Sequence, residues 1–135
     1  MSNAISAYGI HLEMDGTEIA EVKDISGPGL NLNTTDVTAH DGSGWREFVA
    51  TILDAGEITF DINYVPTEAT HDASTGLLSV MEAQTLESFE LIFPDAGTTT
   101  WSFSGYVTGF EPGAPVDGAL TASVTIRISG DPTLA

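Results

Sequence analysis

The sequence predicts a mostly β protein, an antiparallel β-sandwich or barrel with one flanking α-helix and a long extended loop. Three observations carry that prediction. Val, Ile, Thr, Phe and Tyr gather in short runs with period-two alternation. Turn-forming residues separate the runs. Only one segment has helical spacing. The chain has 135 residues, enough for one domain over 1–135 and too few for two ordinary ones. A hydrophobic share of 41% argues for a folded core despite a net charge of −17.

Each element follows from its residues. Tyr8–Met14 and Thr17–Val22 flank Asp15-Gly16, a hairpin turn signal. Gly27-Pro28-Gly29 breaks the chain, and Leu30–Asn33 resumes a strand with Leu30 and Leu32 on one face. Residues 34–56 are the least regular stretch and are expected to form the long loop. Glu57–Val65 is the clearest strand: Ile58, Phe60, Ile62 and Tyr64 face one way, Thr59, Asp61 and Asn63 the other, and Pro66 ends it. Residues 73–84 are the one helical candidate. Leu77, Leu78, Val80 and Met81 supply its apolar side, and Asp72 or Ser74 stands where a cap is needed. Gly76 weakens the first turn, so the helix is expected to be short.

Glu87–Phe93 and Thr99–Phe110 read as strands around a turn at Pro94-Asp95-Ala96-Gly97. Pro112–Gly118 is expected to be a loop. Ala119–Ser129 alternates again, with Leu120, Ala122, Val124, Ile126 and Ile128 against Thr121, Ser123, Thr125, Arg127 and Ser129. Residues 1–7 and 130–135 are expected to be flexible ends. No repeat or linker is visible. The polar strand faces carry Thr, Ser and acids where exposed strands usually carry Lys and Glu; β-propensity alone also accounts for the threonines.

Composition excludes several functions. Lys and Arg number 3 against 20 Asp and Glu, too few to neutralise a nucleic-acid backbone or dock on an anionic membrane. The absence of cysteine removes disulfides, thiolate metal sites and cysteine nucleophiles. The N-terminus has no basic region followed by an apolar run, and no stretch has the ~18 apolar residues of a membrane helix. These features predict a soluble protein kept in the cytoplasm until it is used. Nucleophile-elbow, zinc-protease, P-loop and dinucleotide motifs are missing, so no catalytic residue and no cofactor are assigned.

His40-Asp41 and His71-Asp72 have the chemistry of proton-transfer pairs but fall in expected loops, where such neighbours are common. His11 reads as an exposed strand residue. Asp15 and Glu18 share a turn, yet no calcium-loop spacing occurs and the acids are spread out, so no metal ligand is assigned. Trp45 and Phe48 flank Arg46 in the long loop and either pack on their own core or meet a partner. Trp101, Phe103, Tyr106 and Trp45 are the aromatics that a sugar platform would use. Trp101 and Phe103, however, share a strand face opposite Tyr106, which favours the core.

Three groups of residues, in this order, resemble a known family. The first is Asp36-Val37-Thr38, Gly44-Trp45-Arg46-Glu47-Phe48 and Leu53-Asp54-Ala55-Gly56-Glu57-Ile58-Thr59-Phe60. The second is Pro66-Thr67, the Leu77-Leu78 helix and Phe89-Glu90-Leu91-Ile92-Phe93-Pro94-Asp95. The third is Pro115-Val116-Asp117-Gly118-Ala119-Leu120-Thr121-Ala122-Ser123-Val124-Thr125-Ile126. Their order and spacing, from about Gly16 to Gly130, resemble the major tail tube proteins of long-tailed bacteriophages.

The resemblance implies a structural virion protein, not an enzyme, made in the host bacterial cytoplasm. Six copies would form a ring around a shared barrel, and rings would stack into a tube that delivers the genome. Its partners would be further copies of itself and the tape-measure, tail-tip and tail-terminator proteins; DNA would pass without specific binding, and no membrane would be bound. The chain would be complete as the tube-forming domain, without an added immunoglobulin-like domain. Thr59, Asp61 and Asn63 are the first choice for lumen-facing residues, and Thr121, Ser123 and Thr125 the second. Arg127 fits an anion-repelling wall poorly and is expected to pair with an acid on a neighbouring strand. Subunit and ring contacts fall to Asp36, His40, Asp41, Trp45, Arg46 and Phe48. The alternatives are a tube protein of a contractile injection or secretion system and a monomeric carbohydrate-binding β-sandwich.

Overall fold

The computed structural model describes residues 4–135. Of the expected flexible N-terminus, residues 1–3 lie outside the described residues. The elements are β1 (His11–Met14), β2 (Thr17–Glu18), β3 (Val22–Ser26), β4 (Asn31–Asp36), β5 (Phe48–Asp54), β6 (Glu57–Asn63), α1 (Leu77–Ala83), β7 (Glu87–Ile92), β8 (Thr100–Gly113) and β9 (Thr121–Leu134). Seven strands make one antiparallel sheet in the order β2-β1-β7-β8-β9-β6-β3, and β4 and β5 form a separate two-stranded sheet. The fold is thus mostly β with one helix, as the alternation predicts.

The order of the strands dictates the shape. β2 and β3 are opposite edges of the seven-stranded sheet, yet only Ile19, Ala20 and Glu21 separate them. A flat sheet of seven strands is about 29 Å wide, at about 4.8 Å per gap. Four residue steps span at most about 14 Å. The sheet therefore curls until its edges approach, giving a half-barrel. Its inner face is the core: Leu12 and Met14, Ile58, Phe60 and Ile62, Phe89 and Leu91, Phe103 and Val107, and the even-numbered residues Ala122 to Ile128 are all buried. Phe89 and Phe103 stack at 5.8 Å between centroids. α1 packs against β8 and contributes the buried Leu77, with Val80 and Met81 at the margin.

The crossing Ile19–Glu21 is fastened along its length. Ile19 is buried and its N–H donates to Leu12 O at 2.9 Å. The Ala20 N–H donates to Thr70 Oγ1 at 3.1 Å, and Glu21 O accepts the Asn63 N–H at 3.0 Å. His71, 0% exposed, completes the set. Its Nδ1 accepts the Val65 N–H at 3.1 Å, which places the ring proton on Nε2, 2.7 Å from Ala20 O. Both ring nitrogens are thus committed to backbone.

Several elements differ from those that the sequence predicts. The expected single strand Thr17–Val22 divides into β2 and β3, because the chain turns at Glu21 (φ 61°) to cross the mouth of the half-barrel. The Asp15-Gly16 hairpin forms as read, with both residues at positive φ and Met14 opposite Thr17. The helix starts at Leu77, four residues later than Ala73. Asp72 Oδ1 accepts the N–H groups of Ser74 and Thr75 and the Thr75 hydroxyl, a local turn that competes with helix. β8 extends through Pro112 to Gly113, where a loop was expected. The expected loose C-terminus is instead the end of β9: a bulge at Gly130 (φ 88°) returns the chain to the sheet, with Leu134 opposite Trp101.

Gly105 allows β8 and β9 to meet; a Cβ there would lie 2.6 Å from Arg127 O. The fastening role of His71 has a measurable consequence. His71→Ala removes two hydrogen bonds and leaves two part-buried backbone groups unmatched, at about 1–3 kcal/mol each. A loss of about 3 kcal/mol is expected in urea unfolding of the purified variant. A loss below about 1 kcal/mol would show that the crossing does not depend on the imidazole.

Candidate functional site

Two surfaces stand out: the polar outside of the curled sheet and the hairpin that projects from it. The first is set by register. β6 and β9 pair without interruption, so Asn63 lies opposite Thr121, Asp61 opposite Ser123, Thr59 opposite Thr125 and Glu57 opposite Arg127. β8 continues the rows with Gly113, Glu111, Gly109 and Tyr106. The six residues Thr59, Asp61, Asn63, Thr121, Ser123 and Thr125 therefore share one surface. On it Ser123 Oγ donates to Asp61 Oδ1 at 2.9 Å. Edge strand β3 borders it, and a shallow depression of about 270 Å³ runs between Asp24, Ser26, Thr59, Asp61, Ser123 and Thr125.

Arg127 is the cation in these rows, and it is already matched. Its Nη2 donates to Asp54 Oδ2 at 2.8 Å. The partner is an acid, as expected, but it comes from the root of the hairpin instead of the next strand of the same sheet. Asp54 also accepts the Gly56 N–H at 2.9 Å. That bond first, and the Arg127 guanidinium second, hold its carboxyl below its ordinary range. The paired rows of β6, β9 and β8 then display acids and hydroxyls, and the exposed Lys23 stands on the bordering strand β3.

The second surface replaces the irregular loop expected over 34–56. β4 and β5 form a hairpin arm, with Asn31 opposite Asp54 at the root and Asp36 opposite Phe48 near the tip. The arm has no core. Leu32, Val37, Trp45, Phe48, Ile52 and Leu53 are all exposed, Trp45 at 79%. Trp45 thus does not pack on its own chain, the first of the two options open to it. Asp36 organises the tip. Its Oδ1 accepts the Thr38 N–H at 2.9 Å and its Oδ2 accepts Arg46 Nη1 at 3.0 Å, while Thr38 Oγ1 accepts the Glu47 N–H. The Thr38 side chain first, then its N–H and Arg46, hold the Asp36 carboxyl low. His40 and Asp41 sit in the exposed turn at the end.

The histidine–aspartate neighbours singled out in the sequence do not form a shared site. His71 and Asp72 are not a proton-transfer pair: the ring is bonded to Val65 and Ala20, and the carboxylate to Ser74 and Thr75. Among the described residues, no group of three His, Asp or Glu is placed to hold a metal ion. A sugar platform is not formed either. Phe103 is buried, Tyr106 points from the outer face and Trp45 stands at the arm tip. Sequence reasoning missed the exposed Val37, Ile52 and Leu53 of the arm. The β-branched residues Val49, Thr51 and Ile52 were the available signal.

The family model for lambda phage tail tube protein, TTP, matches residues 5–135. No curated protein matches by sequence. Among solved structures, the chain is similar to one from the virion of a native gene transfer agent particle, at 18% identity and a TM-score of 0.79, covering 98% of this chain and 99% of that one. A chain of an extracellular contractile injection system, from its sheath/tube terminator in the extended state, is 16% identical with a TM-score of 0.76, covering 99% and 98%. The SPP1 tail tube chain is 9% identical with a TM-score of 0.71, covering 97% and 78%. At these identities the likenesses establish the fold.

The two arm carboxylates give a pH prediction. Both are lowered in the folded state, so the folded chain binds fewer protons than the unfolded one in acid. Their contribution is complete above the unfolded Asp value of about 3.9 and disappears as pH falls through the lower folded values. In an NMR acid titration, the Thr38 and Gly56 amide shifts should move with midpoints below about 3.9. Midpoints at or above that value would remove these bonds from the arm.

Proposed function

The chain belongs to the lambda phage tail tube protein family, and from that premise we propose that six copies close into a ring, that rings stack into a tube, and that its lumen is an acidic duct for genome delivery into the host. Tail tube proteins are structural components of tails, and the reading needs no catalysis. The observation that carries it is the register of β6 on β9. It gathers Thr59, Asp61, Asn63, Thr121, Ser123 and Thr125 on one surface, in rows whose cation, Arg127, is cancelled by Asp54.

Such a surface suits a wall past which DNA must slide. Phosphates are attracted by unpaired Lys and Arg through counterion release, and repelled by carboxylates. Hydroxyls between the acids keep the wall wet without adding charge. Joining strands from several copies would also cover sheet edges. The arm supplies the contact, with Trp45, Arg46 and Phe48 reaching a neighbouring copy and Asp36 holding the tip in shape. His40 and Asp41 stand at the same exposed end. Tape-measure, tip and terminator proteins would meet the assembled tube at its inside and its two ends. The gene transfer agent and contractile-system likenesses fit either kind of tube, while the family match favours the phage type.

The assembly opposes its own charge. Six copies at −17 each carry −102 per ring, so ions must screen the contacts. Raising ionic strength from about 0.01 M to about 0.15 M shortens the screening length from about 30 to about 8 Å. Negative-stain microscopy should show few tubes at the lower value and many at the higher. Tubes that dissolve as salt rises would mean that attraction between charges, not apolar contact, builds them.

The lumen has its own test. Tubes of the Asp61→Lys, Ser123→Lys double variant should retain duplex DNA in a pull-down, where wild-type tubes release it. Intact variant tubes that still release DNA would move these residues off the lumen.

A further inference from the structure

The arm root shapes an apolar groove that no described residue fills. It measures about 590 Å³ and lies between β4–β5 and the ends of β8 and β9. Leu30 and Leu53 form one side; Trp101, Ile128, Pro132 and Leu134 form the other. Two carboxylates, Asp54 and Asp131, stand at its margin. Asp54 is engaged by Arg127, whereas Asp131 is exposed and has no partner among the described residues. The same chain carries a matching projection. Trp45 is the exposed indole at the arm tip, and Arg46 beside it is one of three cations in the chain.

We infer that this groove is the socket for Trp45 of a second copy, with Arg46 of that copy facing Asp131. Four observations support the pairing. The volume lies in the range of pockets that enclose an organic side group, and an aromatic ring buries more apolar area than any other side chain. The walls are apolar, so an indole loses no hydrogen-bonding surface there beyond its single N–H. The margin is acidic in a chain with 20 acids, where most surfaces repel one another; Arg46 gives one N–H to Asp36 of its own chain and, with its side chain exposed, keeps further donors that an acidic rim attracts.

The fourth observation is separation. From Phe48 to Leu53 the arm rises about 17 Å before the tip turn is added. No residue of the turn 37–47 lines the groove. Projection and socket on one chain thus cannot meet. A contact between unlike surfaces of identical chains is head-to-tail, and it propagates into a ring or a filament instead of stopping at a pair. One groove and one indole per copy suffice to link every unit to the next.

This inference rests on the arm being the assembly contact, and the experiment separates the two. The sequence has no cysteine, so introduced thiols are unambiguous. Ser43→Cys marks the tip and Asn31→Cys, an exposed residue of the groove lining, marks the groove with Asp131 left in place. The two single variants, distinguished by size tags, are co-expressed and the assembled material is treated with a short bis-maleimide. In parallel, Trp101→Phe leaves Trp45 as the sole indole for fluorescence.

The expected result is a mixed-tag cross-linked dimer together with a blue shift of Trp45 emission on assembly. A blue shift without the mixed cross-link means that Trp45 is buried elsewhere, by another part of the chain or by another protein; the socket is then wrong and the arm contact stands. Assembly with neither signal overturns both. If material stays unassembled at every concentration and gives neither signal, the socket is also rejected, because its strength is meant to come from this chain alone.

Discussion

Everything in this structure depends on a three-residue crossing. Ile19, Ala20 and Glu21 join opposite edges of a seven-stranded sheet, and the short reach of that link forces the curl. Curling creates the enclosed face that Phe60, Phe89, Phe103 and Ile126 fill. It also turns the polar face outward over β6, β9 and β8. The crossing holds because its backbone groups find buried partners on the segment before α1, with His71 binding two chain segments at once. Small domains seldom bury an imidazole without such a double commitment.

Legibility in the sequence followed polarity contrast. β6 and β9 alternate between Ile, Phe or Val and Thr, Asp or Ser, so the two faces of each were readable from periodicity; that the two polar faces join into one surface follows only from their pairing. The arm was not. Phe48-Val49-Ala50-Thr51-Ile52-Leu53 has apolar residues on both sides, because in the isolated chain neither side has a core to face. Alternation reports burial, and this hairpin has none within its own chain. The end of β9 failed for a different reason. Gly130-Asp131-Pro132 reads as a stop, and only the tertiary pairing of Leu134 with Trp101 reveals it as a bulge. His71 was weighed as chemistry; its neighbours in space, Ala20 and Val65, are invisible in the linear order.

Charge and apolar exposure act against each other on this surface. The net charge of −17 opposes the approach of copies, while the arm exposes Leu, Ile, Val, Phe and Trp side chains that favour burial. The cations available to soften the repulsion are few, and the structure spends two of them on short bonds at the two ends of the arm: Arg46 to Asp36 at the tip and Arg127 to Asp54 at the root. Both acids are also hydrogen-bonded to backbone N–H groups, which makes each pair part of a shaped turn instead of a loose surface contact.

The root pair has a mechanical consequence. Only Ala55 and Gly56 separate the arm from β6, a length of chain that would otherwise act as a free pivot. Asp54 grips both the Gly56 amide and the guanidinium that rises from β9, so the pivot is braced from two directions. A sideways pull on the tip is then delivered as torque to the β6–β9 pair and not absorbed at the joint. In any stack of such units, bending at one level would be felt as a twist in the strands of the next, and stiffness would be a property of one carboxylate as much as of the sheet.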